Sequence, residues 1–387
     1  MVESMTRSLL GNLSPREFLR DFWHKKPLLV RNALPGFQGL IDRKGLLDAS
    51  CRESVASRLI LRSGRRWEVR CGPFRSRELQ SLPPRNWTLL VQEVNHFLPA
   101  AASLMRSFSF VPLARLDDVM VSLAPAGGGV GPHFDSYDVF LLQGSGRRRW
   151  RVSAQRDLDL VPGAPLKILE CFVPEHEWVL EPGDMLYLPP AYAHEGIAVD
   201  ECTTYSIGFR APTAQEVGQA FLDHLRDTLE LPGSYADPDL ALQKDPAAIG
   251  AGMTAQIAAM LDGIRWTRGD VARFLGGYLT EPKPHVFFSP PQTPLPRARF
   301  LAHAGRHGVA LALKSCMLFD RDRIYLNGDS YASDAEATPL LRRLANTGVL
   351  APDTALGAEV ADLLYAWYRA GYVELRPAAS HGRVGIR

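Results

Sequence analysis

The stretch Gly131–Ser153, GPHFDSYDVFLLQGSGRRRWRVS, decides how the chain folds and what chemistry it can carry. It reads as two short strands, DVFLLQ and RRRWRVS, separated by a glycine-bearing turn. On a strand, residues two apart share a face, so His133, Asp135, Tyr137 and Val139 are expected to point the same way. An imidazole beside a carboxylate is half of a metal site. An isolated HxD is also what a hydrogen-bonded polar pair on a surface strand looks like, and the neighbouring sequence has to decide between the two.

Three neighbours favour the metal. The pair is preceded by APAGGGVGPH, a glycine-rich loop that lets backbone approach backbone closely, as at the mouth of a barrel. It is followed later by LEPGDMLYLPPAYAHEGIAV, an apolar strand and a Pro-Pro bend leading to His194 on a strand that can cross the first. Of the ten histidines, His133 and His194 alone lie in β context with glycine beside them, whereas His96 and His176 lie in less regular segments. Two histidines and one carboxylate leave coordination positions open, the arrangement of non-heme Fe(II) oxygenases. A zinc hydrolase can use the same ligands, so the triad does not choose the metal.

The arginines help to choose it. In GRRRWRV, Trp150 and Val152 want the interior and Arg148 shares their face, while Arg147, Arg149 and Arg151 take the other. A buried guanidinium requires an anion, and no fixed acid stands at a matching spacing, so a bound carboxylate in a bidentate grip is the natural partner. The alternative is a basic outer face with Arg148 snorkelling. Triad and interior arginine together point to 2-oxoglutarate, with its keto-acid end on iron and its distal carboxylate on Arg148. The upstream strand DDVMVSL places Asp118, Met120 and Ser122 on one face; Ser122 is a candidate cosubstrate contact, and Asp118 with Tyr137 a candidate receiver of a cationic substrate group. Ser206, in TTYSIGFR, is a weaker candidate of the same kind.

Around this centre the chain of 387 residues is 46% hydrophobic, enough for more than one core. Ser14, Pro15 and Glu17 start an N-terminal helix with a capping box, and PLLVRNA leaves it as a strand. Short β-rich runs fill the region from about Arg115 to Arg210, and the boundary falls near residue 211. A second capping box, Thr213 to Glu216, starts an amphipathic helix; a loop and a second helical pattern follow, and EPKPHVFFSPPQTPLP reads as a linker. Two strand-like runs with a turn at Asn327-Gly328, two helices and a final strand then suggest a winged-helix arrangement. Lys+Arg 44 against Asp+Glu 42 leaves no global basic field, and the segment LGAEVADLLYAWYRAG is acidic and apolar, so nucleic acid is not the expected partner. Five scattered cysteines argue against a disulfide framework or structural zinc and are expected to be reduced and buried. With no long apolar run, a soluble cytoplasmic protein with no membrane partner is expected.

FLRDFWHKKPLLVRNA, GGGVGPHFDSYDVFLLQGSGRRRWRV, PGDMLYLPPAYAHEG and YSIGFRAPT, in that order, resemble the Jumonji-C, cupin-fold 2-oxoglutarate oxygenases. Within them the chain is similar to the bacterial ribosomal oxygenases, which hydroxylate an arginine of a large-subunit ribosomal protein. The resemblance implies an α+β chain: a double-stranded β-helix (jelly-roll) catalytic domain over 1–211, a helical dimerisation segment over 212–274 and a winged-helix-like domain over 275–387. It implies His133, Asp135 and His194 as Fe(II) ligands, Arg148 and Ser122 on 2-oxoglutarate, and a substrate pocket including Asp118, Met120 and Tyr137. It also implies O2 as cosubstrate, a ribosomal protein as substrate and a homodimer. The competing expectations are a cupin-type ligand-sensing regulator that binds DNA through its wing, and a 2-oxoglutarate oxygenase of a small molecule.

Overall fold

A computed structural model describes residues 9–377 apart from 65 and 333. The N-terminal helix Pro15–Asp21 forms with the expected capping box, Ser14 accepting from the Glu17 N–H and the Glu17 carboxylate accepting from the Ser14 N–H. Eleven strands follow as far as Phe209: β1 (Leu28–Val30), β2 (Ser57–Ser63), β3 (Arg66–Cys71), β4 (Trp87–Val91), β5 (Leu116–Ala124), β6 (Val139–Gln143), β7 (Arg148–Ser153), β8 (His176–Leu180), β9 (Met185–Leu188), β10 (Ala193–Ala198) and β11 (Cys202–Phe209). They form an eight-stranded sheet in the order β1-β9-β6-β11-β5-β4-β2-β3 and a three-stranded sheet, β10-β7-β8. Every pairing among them is antiparallel.

Alternation assigns the two faces of the large sheet. Val139 and Leu141 of β6 and Leu186 and Leu188 of β9 pack with Trp150, Val152 and Leu180 of the small sheet. Phe140, Leu142, Met185 and Tyr187, one residue out of phase, pack instead with Phe18, Phe108 and Phe209 in the core under the N-terminal helices. A one-residue slip of β6 would exchange the two sets, which fixes the register on which the site depends.

The glycine loop bridges the two sheets. A Cβ on Gly128 would lie 2.1 Å from the Trp87 carbonyl oxygen, and one on Gly129 would lie 2.5 Å from that of Gly196. Gly127 donates to Ala198 and Ala198 donates back to Gly128, each at 2.8 Å. The close approach expected of the loop is therefore built in, and it seats the segment that follows against β10.

Four expectations are corrected. The β-rich runs do not begin near Arg115: besides β1, which PLLVRNA announces, β2 to β4 belong to the large sheet, and the hairpin of β2 and β3 forms its edge. The segment His133–Asp138 is not a regular strand: it makes one antiparallel bridge, His133 with His194, and regular pairing starts at Val139. Pro132 has no N–H for a ladder, and Gly131, at φ +84°, turns the chain. The cysteines are unpaired, but Cys71 and Cys171 are exposed rather than buried. Cys71 ends the edge strand β3, and Cys171 lies in the loop before β8. His176, expected in a less regular segment, opens β8.

After the barrel come the helices Ala214–Thr228, Ala251–Leu261 and Arg268–Thr280. The last, headed by a Thr267–Asp270 capping box, spans the expected division at 274/275, and its Gly276 packs against the Tyr325 ring. Beyond the proline segment, the helices Arg297–His307, Ala337–Thr347 and Ala358–Ala370 enclose a second core of Phe300, Leu341, Leu364 and Trp367. The expected hairpin turn at Asn327-Gly328 joins Arg323–Leu326 to Asp329–Ala332. Among the described residues no helix is long and apolar enough to cross a membrane.

Candidate metal centre

His133 and His194 come together because their backbones pair, each N–H donating to the other's carbonyl at 2.9 and 2.8 Å. Their rings lie 4.2 Å apart, centre to centre. Asp135 is brought in by the Pro-Pro bend, where Ala191, itself at φ +62°, donates its N–H to the Asp135 carbonyl at 2.8 Å. Nε2 of His194 stands 3.6 Å from Oδ2 of Asp135, and one donor atom from each of the three side chains lies within 4.8 Å of the others. No other group of three or more such side chains is gathered in this way among the described residues.

The nitrogens are oriented for a metal. Nδ1 of His133 faces the Gly131 carbonyl at 2.9 Å, and Nδ1 of His194 faces that of Tyr192 at 2.9 Å. A carbonyl accepts only, so Nδ1 carries the proton in each ring and Nε2 keeps its lone pair free for a metal. Burial, and then the neighbouring His133, lower His194 to about 4 against the opposing pull of Asp135. The imidazole is neutral at physiological pH, as a ligand must be. This donor set, neutral Nε2 atoms and one carboxylate on one side of a pocket, fits a divalent transition metal with open positions.

That pocket is a cavity of about 580 Å³ between the two sheets, and all nine residues singled out in the sequence border it: His133, Asp135, His194, Arg148, Ser122, Asp118, Met120, Tyr137 and Ser206. Alternation along β7 places Arg148 inward, 4% exposed, its guanidinium 5.9 Å from the Trp150 ring. Its Nε and Nη2 are buried and find no hydrogen-bond partner among the described residues. Its neighbours are satisfied differently: Arg147 pairs with Asp200 at 2.8 Å and Arg151 with the buried Glu195. The expectation that no fixed acid would meet Arg148 is therefore specific to Arg148. The Ser122 hydroxyl donates to the Thr204 carbonyl at 3.4 Å, a weak bond that leaves it free to turn toward a ligand.

On β5, burial and then Asp117 raise Asp118 to about 6, while an N–H from Glu93 at 3.1 Å steadies its Oδ2. Burial, then the Asp135 charge, keep the Tyr137 phenol protonated well above its ordinary range. Sequence reasoning missed other lining residues. Thr204 stands two before Ser206 on β11, so period two was enough to find it. Arg58 of β2, Lys167 of a loop and Lys283 of the proline segment also reach the cavity, and no local pattern marks any of them.

Known proteins share this architecture. Residues 103–217 match the JmjC domain family and residues 263–374 the ROXA-like winged helix. The chain is 33% identical over 362 residues to the ribosomal protein uL16 3-hydroxylase of Escherichia coli, covering 91% of this chain and 96% of that one. The solved structure of the Escherichia coli ribosomal oxygenase YcfD in complex with cobalt and 2-oxoglutarate superposes with a TM-score of 0.80 at 31% identity, covering 94% of this chain and 98% of that chain. The complex of the same protein with cobalt and succinic acid gives 0.78 at the same identity and coverage. With the triad, the inward arginine and the winged helix all present in one chain, this protein belongs to the JmjC-domain 2-oxoglutarate oxygenases of the ribosomal oxygenase family.

Proposed function

We propose that this chain hydroxylates an arginine side chain of the ribosomal protein uL16, with His133, Asp135 and His194 holding Fe(II), and Arg148 and Ser122 holding 2-oxoglutarate. The observation that carries this reading is one cavity lined by a metal-ready triad, an unpaired buried guanidinium and the half-buried carboxylate of Asp118. Bound Fe(II) with 2-oxoglutarate and O2 supplies an oxidant able to hydroxylate an unactivated C–H bond, giving succinate and CO2 as coproducts. The protein's own part is placement. Arg148 fixes one end of the cosubstrate, Asp118 and Tyr137 grip the guanidinium of the substrate, and the apolar lining of Met120 and Val139 keeps the intervening carbon dry and close to the metal. Such an enzyme works in the cytoplasm, where it meets ribosomal proteins.

Incubating the protein with Fe(II), 2-oxoglutarate and uL16 is expected to add one oxygen, seen by mass spectrometry, with succinate formed in step. Absence of any gain on every ribosomal protein overturns the substrate. Asp118→Asn is expected to raise KM for an arginine-bearing uL16 peptide roughly 10- to 100-fold, the loss of a buried charge-assisted pair. Because Asp118 grips a cation only when ionised, kcat/KM is expected to fall as pH drops through about 6. A profile flat across that range removes Asp118 from the role.

We further propose that two copies associate through the helices after the barrel. The helix Ala251–Leu261 has no buried residue; its Met253, Ile257, Met260 and Leu261 stand exposed, as do Leu222 on the helix before it and Trp266, Val271 and Leu275 on and just before the helix after it. A helix whose apolar side chains all face water is more exposed apolar surface than a monomer ordinarily leaves uncovered. Light scattering is expected to give twice the monomer mass, and Ile257→Glu to halve it. A wild-type monomer at micromolar concentration overturns this.

A further inference from the structure

Asp118 is not held by its own strand alone. The chain leaves β4 and at Glu93 enters a left-handed turn, φ +53° and ψ +37°, a conformation uncommon for a residue with a side chain. That turn points the Glu93 N–H at Oδ2 of Asp118, 3.1 Å away. The side chain meanwhile runs the other way, into contacts with the proline segment that leads to the winged helix. Nε2 of His285 donates to Oε2 at 2.8 Å, and Nζ of Lys283 lies 3.1 Å from Oε1. His96 adds a third contact at 3.4 Å. Burial pushes the Glu93 carboxyl up, but bonds from His96 and His285 and the Lys283 charge outweigh it and hold the group well below the usual carboxylate range. Only 7% of Glu93 is exposed.

The charges around this residue are set for one more cation. Lys283 also pairs with Asp117 at 3.1 Å, and Arg210 lies 3.5 Å from Asp117. Glu93, Asp117 and Asp118 thus present three carboxylates to two fixed cations, with the histidines 96 and 285 as hydrogen-bond partners of Glu93. The carboxylate left over is Asp118, and it borders the cavity together with Asp117 and Lys283.

We propose that Glu93 is a positioning residue for substrate: clamped by Lys283 and His285 of the interdomain segment, it aims Asp118 at the substrate's cationic group, so that docking of the C-terminal part sets specificity at the active site. This rests on the reading of Asp118 as the partner of that cation. Held in the left-handed turn by contacts on its side chain, the glutamate uses its backbone to do the positioning. Alanine loses the clamp and keeps the conformational penalty, whereas glycine adopts the turn freely.

The test uses the full chain loaded with Mn(II) and 2-oxoglutarate, with a fluorescent uL16 peptide carrying one arginine and its neutral citrulline counterpart. Fluorescence anisotropy is expected to show Glu93→Ala weakening arginine-peptide binding about tenfold while citrulline-peptide binding and 2-oxoglutarate affinity stay unchanged. In turnover the same variant is expected to raise KM and leave kcat in place. Glu93→Gly is expected to restore arginine-peptide binding to within about threefold of wild type. Lys283→Met, which removes one of the two clamps and leaves Glu93 itself and its His285 contact in place, is expected to weaken it about threefold and serves if the alanine variant does not fold. Glycine as weak as alanine, unchanged binding in Lys283→Met, or a parallel loss of 2-oxoglutarate affinity each overturns the inference. A wild type that binds both peptides alike overturns the reading of Asp118 and this inference with it. A wild type that discriminates, with Glu93→Ala discriminating as well, overturns this inference alone.

Discussion

His194→Ala is expected to lower Fe(II) affinity by at least about 10³-fold, equivalent to about 4 kcal/mol, and to take turnover below detection. The size follows from what His194 supplies. It is 3% exposed, its Nδ1 is committed to the Tyr192 carbonyl, and its Nε2 is directed at Asp135. Losing it leaves one imidazole and one carboxylate, and water cannot replace a donor that was fixed and neutral before the metal arrived. The backbone bridge to His133 uses main-chain atoms alone, so the fold is expected to survive and the variant to unfold cooperatively within a few degrees of wild type. Isothermal titration with Mn(II) under nitrogen reads the metal directly. Retention of wild-type metal affinity would remove His194 from the ligand set.

The same residues show where sequence sufficed and where it did not. Arg148 was legible because β alternation is strict: once Trp150 and Val152 are assigned inward, Arg148 follows, and the structure places it there with two nitrogens unpaired. The triad was legible as a set but for a partly mistaken reason. His133 and Asp135 converge through one bridge and a turn stabilised by Ala191 rather than through strand alternation, and the sequence signals for that, Pro132 and the Pro-Pro bend, are turn chemistry rather than period. β1 was legible in PLLVRNA, but β2 to β4 were missed because β4, buried on both faces, has no alternation to read, and because the edge hairpin of β2 and β3 is broken by charge. Lys283 and His285 reach the site from a segment whose prolines mark it only as a connection. Contacts of that kind are fixed by tertiary packing across nearly two hundred positions, which no local pattern encodes.

Arg148→Met is expected to separate cosubstrate binding from metal binding: affinity for 2-oxoglutarate falls on the order of 10²-fold, about 3 kcal/mol, while Mn(II) affinity in its absence changes by less than about threefold. The guanidinium sits inside the barrel, and its Nε and Nη2 have no hydrogen-bond partner among the described residues. Such a group is costly to bury until an anion arrives, and the planar fork then grips a carboxylate with two bonds. Two further results follow from the same accounting of charge. First, methionine keeps most of the volume and removes the unpaired charge, so the ligand-free variant is expected to melt no lower than wild type, whereas 2-oxoglutarate is expected to raise the melting temperature of wild type alone. Second, Arg148→Lys keeps the charge without the fork and is expected to recover part of the affinity, short of wild type. Equal losses of Mn(II) and 2-oxoglutarate binding in Arg148→Met, or a ligand-free variant destabilised by several degrees, make Arg148 a support of the barrel instead. The melting experiment is the sharper of the two, because a scaffold arginine and a cosubstrate arginine move the ligand-free protein in opposite directions.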